Sequence, residues 1–147
     1  MASIRETVDP FHTLPVVVLE PTQVLRWDGL AREKMLIMSC SEVVGRCDIV
    51  LEDNYFGRKA HFDDINLAKR KRGLGVGMAT YLLAIELAHA RDYPFETQDF
   101  YQSLGSKTIW EKLSNLGVAI EISPFRASNR GKDKYEGKFI IPVPAGR

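Results

Sequence analysis

Ten residues, Lys69 to Met78 (KRKRGLGVGM), hold the densest chemistry in the chain: four consecutive cations run into three glycines spaced two apart, Gly73, Gly75 and Gly77. Apolar residues then recur at helical spacing from Ala79 to Ala90, so the glycines fall where a loop becomes a helix N-terminus. Glycine tolerates positive φ and close approach, which lets successive backbone N–H groups converge on one point, and the helix end adds about half a positive charge. The chemistry this serves is anion binding, above all of phosphate.

Spacing separates three kinds of phosphate loop. A nucleoside-triphosphate loop needs Lys and then Ser or Thr after its last glycine, whereas Met78 and Ala79 follow Gly77. The dinucleotide fingerprint GxGxxG needs its third glycine one place beyond Gly77 and an acidic residue about 20 positions on; Glu96 or Asp99 can fill the second role, but the glycine spacing is wrong. The pattern that fits is Arg70-Lys71-Arg72-Gly73-Leu74-Gly75: Arg or Gln, two residues, Gly, one residue, Gly or Ala. It resembles the pyrophosphate-binding loop of the GCN5-related N-acetyltransferase (GNAT) family, which grips the pyrophosphate of acetyl-coenzyme A (acetyl-CoA). The resemblance implies acetyl-CoA as co-substrate, held by Leu67, Arg70, Arg72, Gly73, Leu74, Gly75, Val76, Gly77 and Met78. A solvated basic face, or a patch for nucleic acid, is the other reading of KRKR.

Acetyl transfer needs a neutral amine, so a base must take its proton or the amine must arrive neutral. Family members often place an acidic residue on the fourth or fifth strand, which points to Asp63, Asp64 and Glu96, with His61 and Asp99 nearby. Partial burial can raise a carboxylate into a useful range; alternatively Asp63 and Asp64 only balance the basic loop. The departing thiolate needs a proton or hydrogen bond, and the family often uses Tyr in a late helix run resembling LYEKLGF. Here that run is Ile109-Trp110-Glu111-Lys112-Leu113-Ser114-Asn115, and the indole of Trp110 is no acid at neutral pH. Ser103 and Ser106 precede Trp110 by seven and four residues, where the family places residues touching the cofactor arm, so Ser106 becomes the candidate acid and Ser103 and Trp110 candidate cofactor contacts. Tyr101 or Tyr81 can replace the missing phenol. Trp110 and Trp27 otherwise read as core or cofactor-wall residues.

The elements that must position these residues fit one domain, residues 1–147. Apolar content of 45% and charged content of 27% are ordinary for a globular protein, and disorder is not indicated. Net charge is +1, but residues 1–56 hold nine acids and five bases while residues 57–72 hold six bases against Asp63 and Asp64. Positive charge is therefore local, as an anionic ligand requires. No apolar run is long enough to span a membrane and the first residues do not read as a targeting signal, so a cytoplasmic location is expected. Cys40 and Cys47 match no zinc spacing, His12 and His89 have no ligand partner at helical spacing, and both cysteines read as small core residues with no metal site.

Strands are expected at Leu14 to Leu19, Lys34 to Ser41, Arg46 to Leu51, Ala60 to Leu67, Phe95 to Tyr101, Val118 to Ile122 and Lys138 to Val143, with Gly45 in a hairpin turn. Helices are expected at Gly75 to Arg91 and Ser106 to Leu116, with a short frayed one after Thr22. In the fourth strand the two-residue period puts Asp64 on the face of Phe62, with Ile65 and Leu67 on the other. This order is an α/β (α+β) plan and matches the GNAT fold: a mixed, mostly antiparallel central sheet flanked by helices. Glu20 to Glu33 is too short for the family's usual pair of helices, so the N-terminal helical region that forms one wall of the acceptor site is shortened. The resemblance implies an acetyl-CoA-dependent N-acetyltransferase acting on an amine of a small molecule, a protein or a charged RNA. A non-catalytic member binding CoA or a host macromolecule is the alternative, and for RNA the contacts are Arg126, Arg130, Lys132, Lys134 and Lys138. No membrane partner is expected, and a homodimer is one open oligomeric state.

Overall fold

The computed structural model describes residues 2–73, 75–98 and 100–145, with Lys71 described by its backbone alone. A short helix α1 (Ile4–Val8) precedes strands β1 (Val18–Trp27), β2 (Leu30–Ser39), β3 (Glu42–Asn54) and β4 (Gly57–Leu67). A 3₁₀ turn (Lys69–Lys71) leads into helix α2 (Val76–Ala90), followed by β5 (Phe95–Glu96), β6 (Gln102–Ser103), helix α3 (Leu104–Asn115), β7 (Ile120–Ala127) and β8 (Lys134–Ile141). All the strands share one sheet in the order β1-β2-β3-β4-β5-β8, with β6 and β7 each pairing β8. Every pairing is antiparallel except that of β4 with β5. This is the mixed, mostly antiparallel sheet with flanking helices that the element order implies.

Between the first two strands the frayed helix is absent. Val18, Thr22 and Val24 sit in an edge strand that runs on to Trp27, and Asp28-Gly29 then reverses the chain, with Gly29 at φ 73°. Asp-Gly between two runs with β-branched residues is a strong hairpin signal, and it outweighs the apolar spacing that reads as helix. The next reversal falls at Cys40 and Ser41, both at positive φ as a two-residue hairpin turn requires, rather than at Gly45. Cys40 is consequently exposed, contrary to its reading as a core residue. Gly45 lies inside β3, where a Cβ would stand 2.3 Å from the carbonyl oxygen of Asn66.

A bulge in β4 rewrites the face pattern of that strand. Asp48 pairs with Asp64 and Ile49 with Phe62, so Asp63 is the extra residue. Ala60, Phe62, Ile65 and Leu67 therefore all belong to the core side, while Asp63 and Asp64 are both exposed on the other. The strict two-residue period places Asp64 with Phe62 and opposes Ile65 and Leu67 to them; one inserted residue reverses both assignments.

The core lies between the sheet and the two longer helices, where Ile37, Cys47, Ile49 and Phe62 join Ala79, Ile85, Trp110 and Leu113 in one cluster. Helix α2 is buried on most sides, including Thr80, Tyr81 and His89, so its sequence lacks a polar stripe. The opposite face of the sheet is charged, with Arg32, Lys34 and Asp48 across β2 and β3. Across α2 runs the N-terminal segment: Arg5 Nε meets Glu86 Oε1 at 2.7 Å, and the Asp9 carboxylate accepts hydrogen bonds from Thr13 N at 2.7 Å and Leu14 N at 3.1 Å. Burial is the largest influence on Asp9 and acts to raise its pKa, yet these bonds together hold the carboxyl below its usual range. Among the described residues no helix is long and apolar enough to cross a membrane.

Cys47 is 1% exposed, and burial first, then Asp48 and Asp64, push its thiol up to about 12. A thiol reagent at neutral pH is expected to label the exposed Cys40 alone in the folded protein and both cysteines in denaturant. Equal labelling of the two in the folded state contradicts this packing.

Candidate active site

The described glycines of the loop adopt backbone conformations that favour glycine just ahead of α2. Gly73 lies at φ 79° and Gly75 at φ 83°, and Gly75 caps α2 without any side-chain hydrogen bond. Among the described residues the first-turn N–H groups of Val76, Gly77 and Met78 have no side-chain cap, and no acidic residue occupies that turn. The three glycines do different work. A Cβ at Gly73 would meet nothing within 4 Å, one at Gly75 would press on Leu14 and Pro15 at 3.1 and 3.2 Å, and one at Gly77 would press on Ile109 at 3.2 Å. Gly73 faces open space where an anion can approach, Gly75 admits the N-terminal segment, and Gly77 lets α2 and α3 come together. Arg70 pairs with Glu42, and Arg72 Nε donates to the carbonyl of Leu67 at 3.3 Å. Leu74 and Asp99 lie outside the described residues.

Directly below the loop the sheet opens. Parallel strands β4 and β5 share one residue pair, Ala60 with Phe95, after which β4 continues to Leu67 paired with β3 alone, while β5 turns to pair with β8. From His61 onward β4 has a strand edge with no ladder partner among the described residues. Aromatic rings fill the helix side of this opening: Tyr81 lies edge-on to Phe62 at 4.8 Å and to Trp110 at 6.0 Å, and Trp110 stacks on Phe95 at 6.0 Å. Trp110 is 1% exposed, which places its ring in the core rather than on a cofactor-facing surface.

Within that wall two hydroxyls meet. Tyr81 donates from its phenol to Ser106 Oγ at 2.9 Å, and both residues are buried. Ser106 is held by its own helix start, its N–H donating to Oγ of the exposed N-cap Ser103 at 3.2 Å. The pairing joins positions 25 residues apart, on two helices, which is why the sequence shows each residue without showing the pair. The one local sign is Ser103 three residues before Ser106, which marks where α3 begins.

The carboxylates occupy the other face of the sheet. Asp63 is bound by Arg32, which also reaches Asp48 Oδ2 at 3.0 Å, so Asp63 belongs to an ion network. Asp64 accepts from Asn66 at 3.4 Å and has no cation within reach among the described residues. Glu96 is the most enclosed of the three, with its side chain 12% exposed and Lys138 Nζ 2.5 Å from its Oε1. Beside it a pocket of about 430 Å³ lies between the chain after β5 and the β7–β8 hairpin. The structure therefore separates the candidates: Ser106 and Tyr81 approach the opening from the helix side, and Glu96 lies on the opposite face. Among the described residues no cluster of His, Cys, Asp and Glu can hold a metal ion.

No protein-family model matches the sequence, and no curated protein matches it. Solved structures do resemble it, the following two among them. One is described as histone acetyltransferase HPA2 and related acetyltransferase from Corynebacterium glutamicum, 12% identical, with a TM-score of 0.52 over 77% of this chain and 65% of that one. The other is a tandem GNAT protein from the clavulanic acid biosynthesis pathway, 21% identical, with a TM-score of 0.49 over 69% of this chain and 32% of that one. The chain spans less than two thirds of the length of either. At this identity the first likeness shows the fold alone, a GNAT-like α+β fold.

Tyr81 supplies a test of the wall. Burial, outweighing the hydrogen bonds to Ser106 and Trp110, pushes its phenol from 10.0 to about 12. The folded state disfavours the phenolate, so the stability this group contributes is present below pH 10 and is lost as pH rises from there towards 12. Urea unfolding of the wild type and Tyr81→Phe should show a stability difference that narrows by about 2–3 kcal/mol across that window. A difference that stays constant with pH contradicts the burial.

Proposed function

We propose that this chain, as one acyltransferase-like domain, is an N-acetyltransferase that moves the acetyl group of acetyl-CoA to an amine. The observation that carries the reading is the open edge of β4 beneath an uncapped helix N-terminus. Coenzyme A is an anion joined to an extended arm that carries two amides and ends in a thiol. Its pyrophosphate can sit on the first-turn amides of Val76 to Met78, with Arg72 nearby in sequence, and its arm can pair along β4 from His61 to Leu67 as an added strand would.

That placement brings the thioester between the two groups of side chains. The acceptor nitrogen loses a proton to Glu96, its lone pair attacks the carbonyl carbon, and the carbon–sulfur bond breaks, leaving the electron pair on sulfur. Tyr81 does not protonate that sulfur. Burial pushes its phenol up to about 12, so it holds its proton at neutral pH. Instead Tyr81 keeps its proton and donates it to Ser106 Oγ, which leaves the Ser106 hydroxyl proton free to hydrogen-bond the developing thiolate until solvent protonates it. Ser106 is the group that touches sulfur, and Tyr81 positions it.

Two of the basic residues offered for RNA are stacked on aromatic rings: Arg130 lies over Phe100 at 5.2 Å and Lys134 over Tyr101 at 4.6 Å. These contacts favour a small acceptor over a polyanion.

Calorimetry with acetyl-CoA and thiol release with an accepted amine test the reading together. A hydrogen bond to a charged acceptor is worth about 1.5–3 kcal/mol, so Ser106→Ala should lower kcat about 10- to 150-fold with acetyl-CoA affinity nearly retained. Gly73→Val should instead weaken acetyl-CoA binding, because its side chain enters the space where the anion approaches. Absence of acetyl-CoA binding to the wild type, or a Ser106→Ala protein with undiminished kcat, contradicts the assignment.

A further inference from the structure

Beside Glu96 the structure holds an amine already. Lys138 places its ammonium 2.5 Å from a carboxylate that is 12% exposed, at the lip of the opening between β4 and β5. A primary ammonium in hydrogen-bond contact with that carboxylate is the arrangement an acceptor amine must reach before it can lose a proton. Lys138 also lines the neighbouring pocket, together with Gln98, Pro124, Phe125, Arg126 and Glu136. Its volume of about 430 Å³ suits a small molecule.

Charge is distributed unevenly around this site. On the pocket side Arg126, Arg130 and Lys138 face the carboxylates Glu136 and Glu96, three cations against two anions. Arg126 and Arg130 each stand 3.8 Å from the same Glu136, too far for hydrogen bonds, and Arg126 is largely exposed. On the β4 side Asp48, Asp63 and Asp64 share the charged face with Arg32, Lys34 and Arg46, three anions with three cations, and Asp64 has no cation within ion-pair distance among the described residues. A ligand that is positive towards Glu96 and negative towards Lys138 and Arg126 therefore answers the charges that line this site.

We propose that the acceptor is a zwitterion, a small primary amine that also carries a carboxylate, as an α-amino acid does. This rests on the acetyl-transfer reading and names the substrate class of that site. The acceptor ammonium takes the place of Lys138 on Glu96, and Lys138 turns with Arg126 to the acceptor carboxylate, so one enclosed ion pair becomes two and no charge is left unpaired. Phe125, stacked on Phe139 at 4.7 Å, and Pro124 offer an apolar wall to the acceptor's side chain. A lysine side chain of a protein has no carboxylate beside its amine and leaves the cations of the pocket unanswered.

Matched pairs of amines test this on the wild-type protein, once calorimetry has established whether acetyl-CoA binds. Phenylalanine is compared with phenethylamine and leucine with isopentylamine, with kcat/KM read from thiol release. A carboxylate meeting Lys138 and Arg126 should give each amino acid an advantage of about tenfold or more over its decarboxylated partner. Lys138→Met and Arg126→Gln should each shrink that ratio several-fold, and two variants guard against one failing to fold. The zwitterion is overturned, with the cofactor reading intact, where acetyl-CoA binds and the decarboxylated amines are used equally well or better. It is overturned in the same way where neither amino acid is acetylated, or where the ratio survives both substitutions. Failure of acetyl-CoA to bind overturns the functional reading and this inference with it.

Discussion

Two parallel strands that pair at one residue and then part leave backbone donors and acceptors unanswered in the middle of a sheet. Ala60 with Phe95 is that single pair, and much of the structure around it deals with the consequence. On the helix side Phe62, Tyr81, Phe95 and Trp110 pack edge to face and in a stack, so the gap is backed by a dry aromatic wall. The open edge of β4 remains, with backbone donors and acceptors that an extended chain bearing amides can pair with as an added strand does. Helix α2 then sets its uncapped N-terminus at the same end, because the chain that leaves β4 passes directly through the glycines.

The same opening joins the two faces of the sheet. Ser106 and Tyr81 belong to the apolar side, and Glu96 to the charged side, where its ion pair with Lys138 is enclosed. In the proposed reaction the neutral phenol holds Ser106 for the thiolate, and the paired carboxylate is the group that meets the amine. The absence of helices between β1 and β2 leaves the charged face uncovered among the described residues, so the β7–β8 hairpin supplies the nearest wall to an acceptor.

Much of this was legible in the residues. Gly73, Gly75 and Gly77 ahead of a helical run mark the loop, and α2 falls within a residue of its expected limits at both ends. The edge strand β1 was not, because most of its side chains are exposed and its alternation is correspondingly weak; Asp28-Gly29 was the signal that could have found it. Nor was the bulge at Asp63 visible, since one extra residue changes the face of everything after it without changing composition. The three glycines look alike in sequence, yet only Gly73 opens to solvent, a distinction set by Leu14, Pro15 and Ile109 from distant parts of the chain. Tyr81 and Ser106 reach each other only through the packing of α2 on α3.

The central claim is that the loop and the open edge of β4 form one continuous binding track. Amide hydrogen exchange with and without coenzyme A measures that directly. The account predicts slowed exchange in two separate stretches, the first turn of α2 from Val76 to Met78 and the unpaired part of β4 from Phe62 to Leu67, with β1 and β2 unaffected. Protection of the helix turn alone, or of neither stretch at saturating coenzyme A, contradicts it.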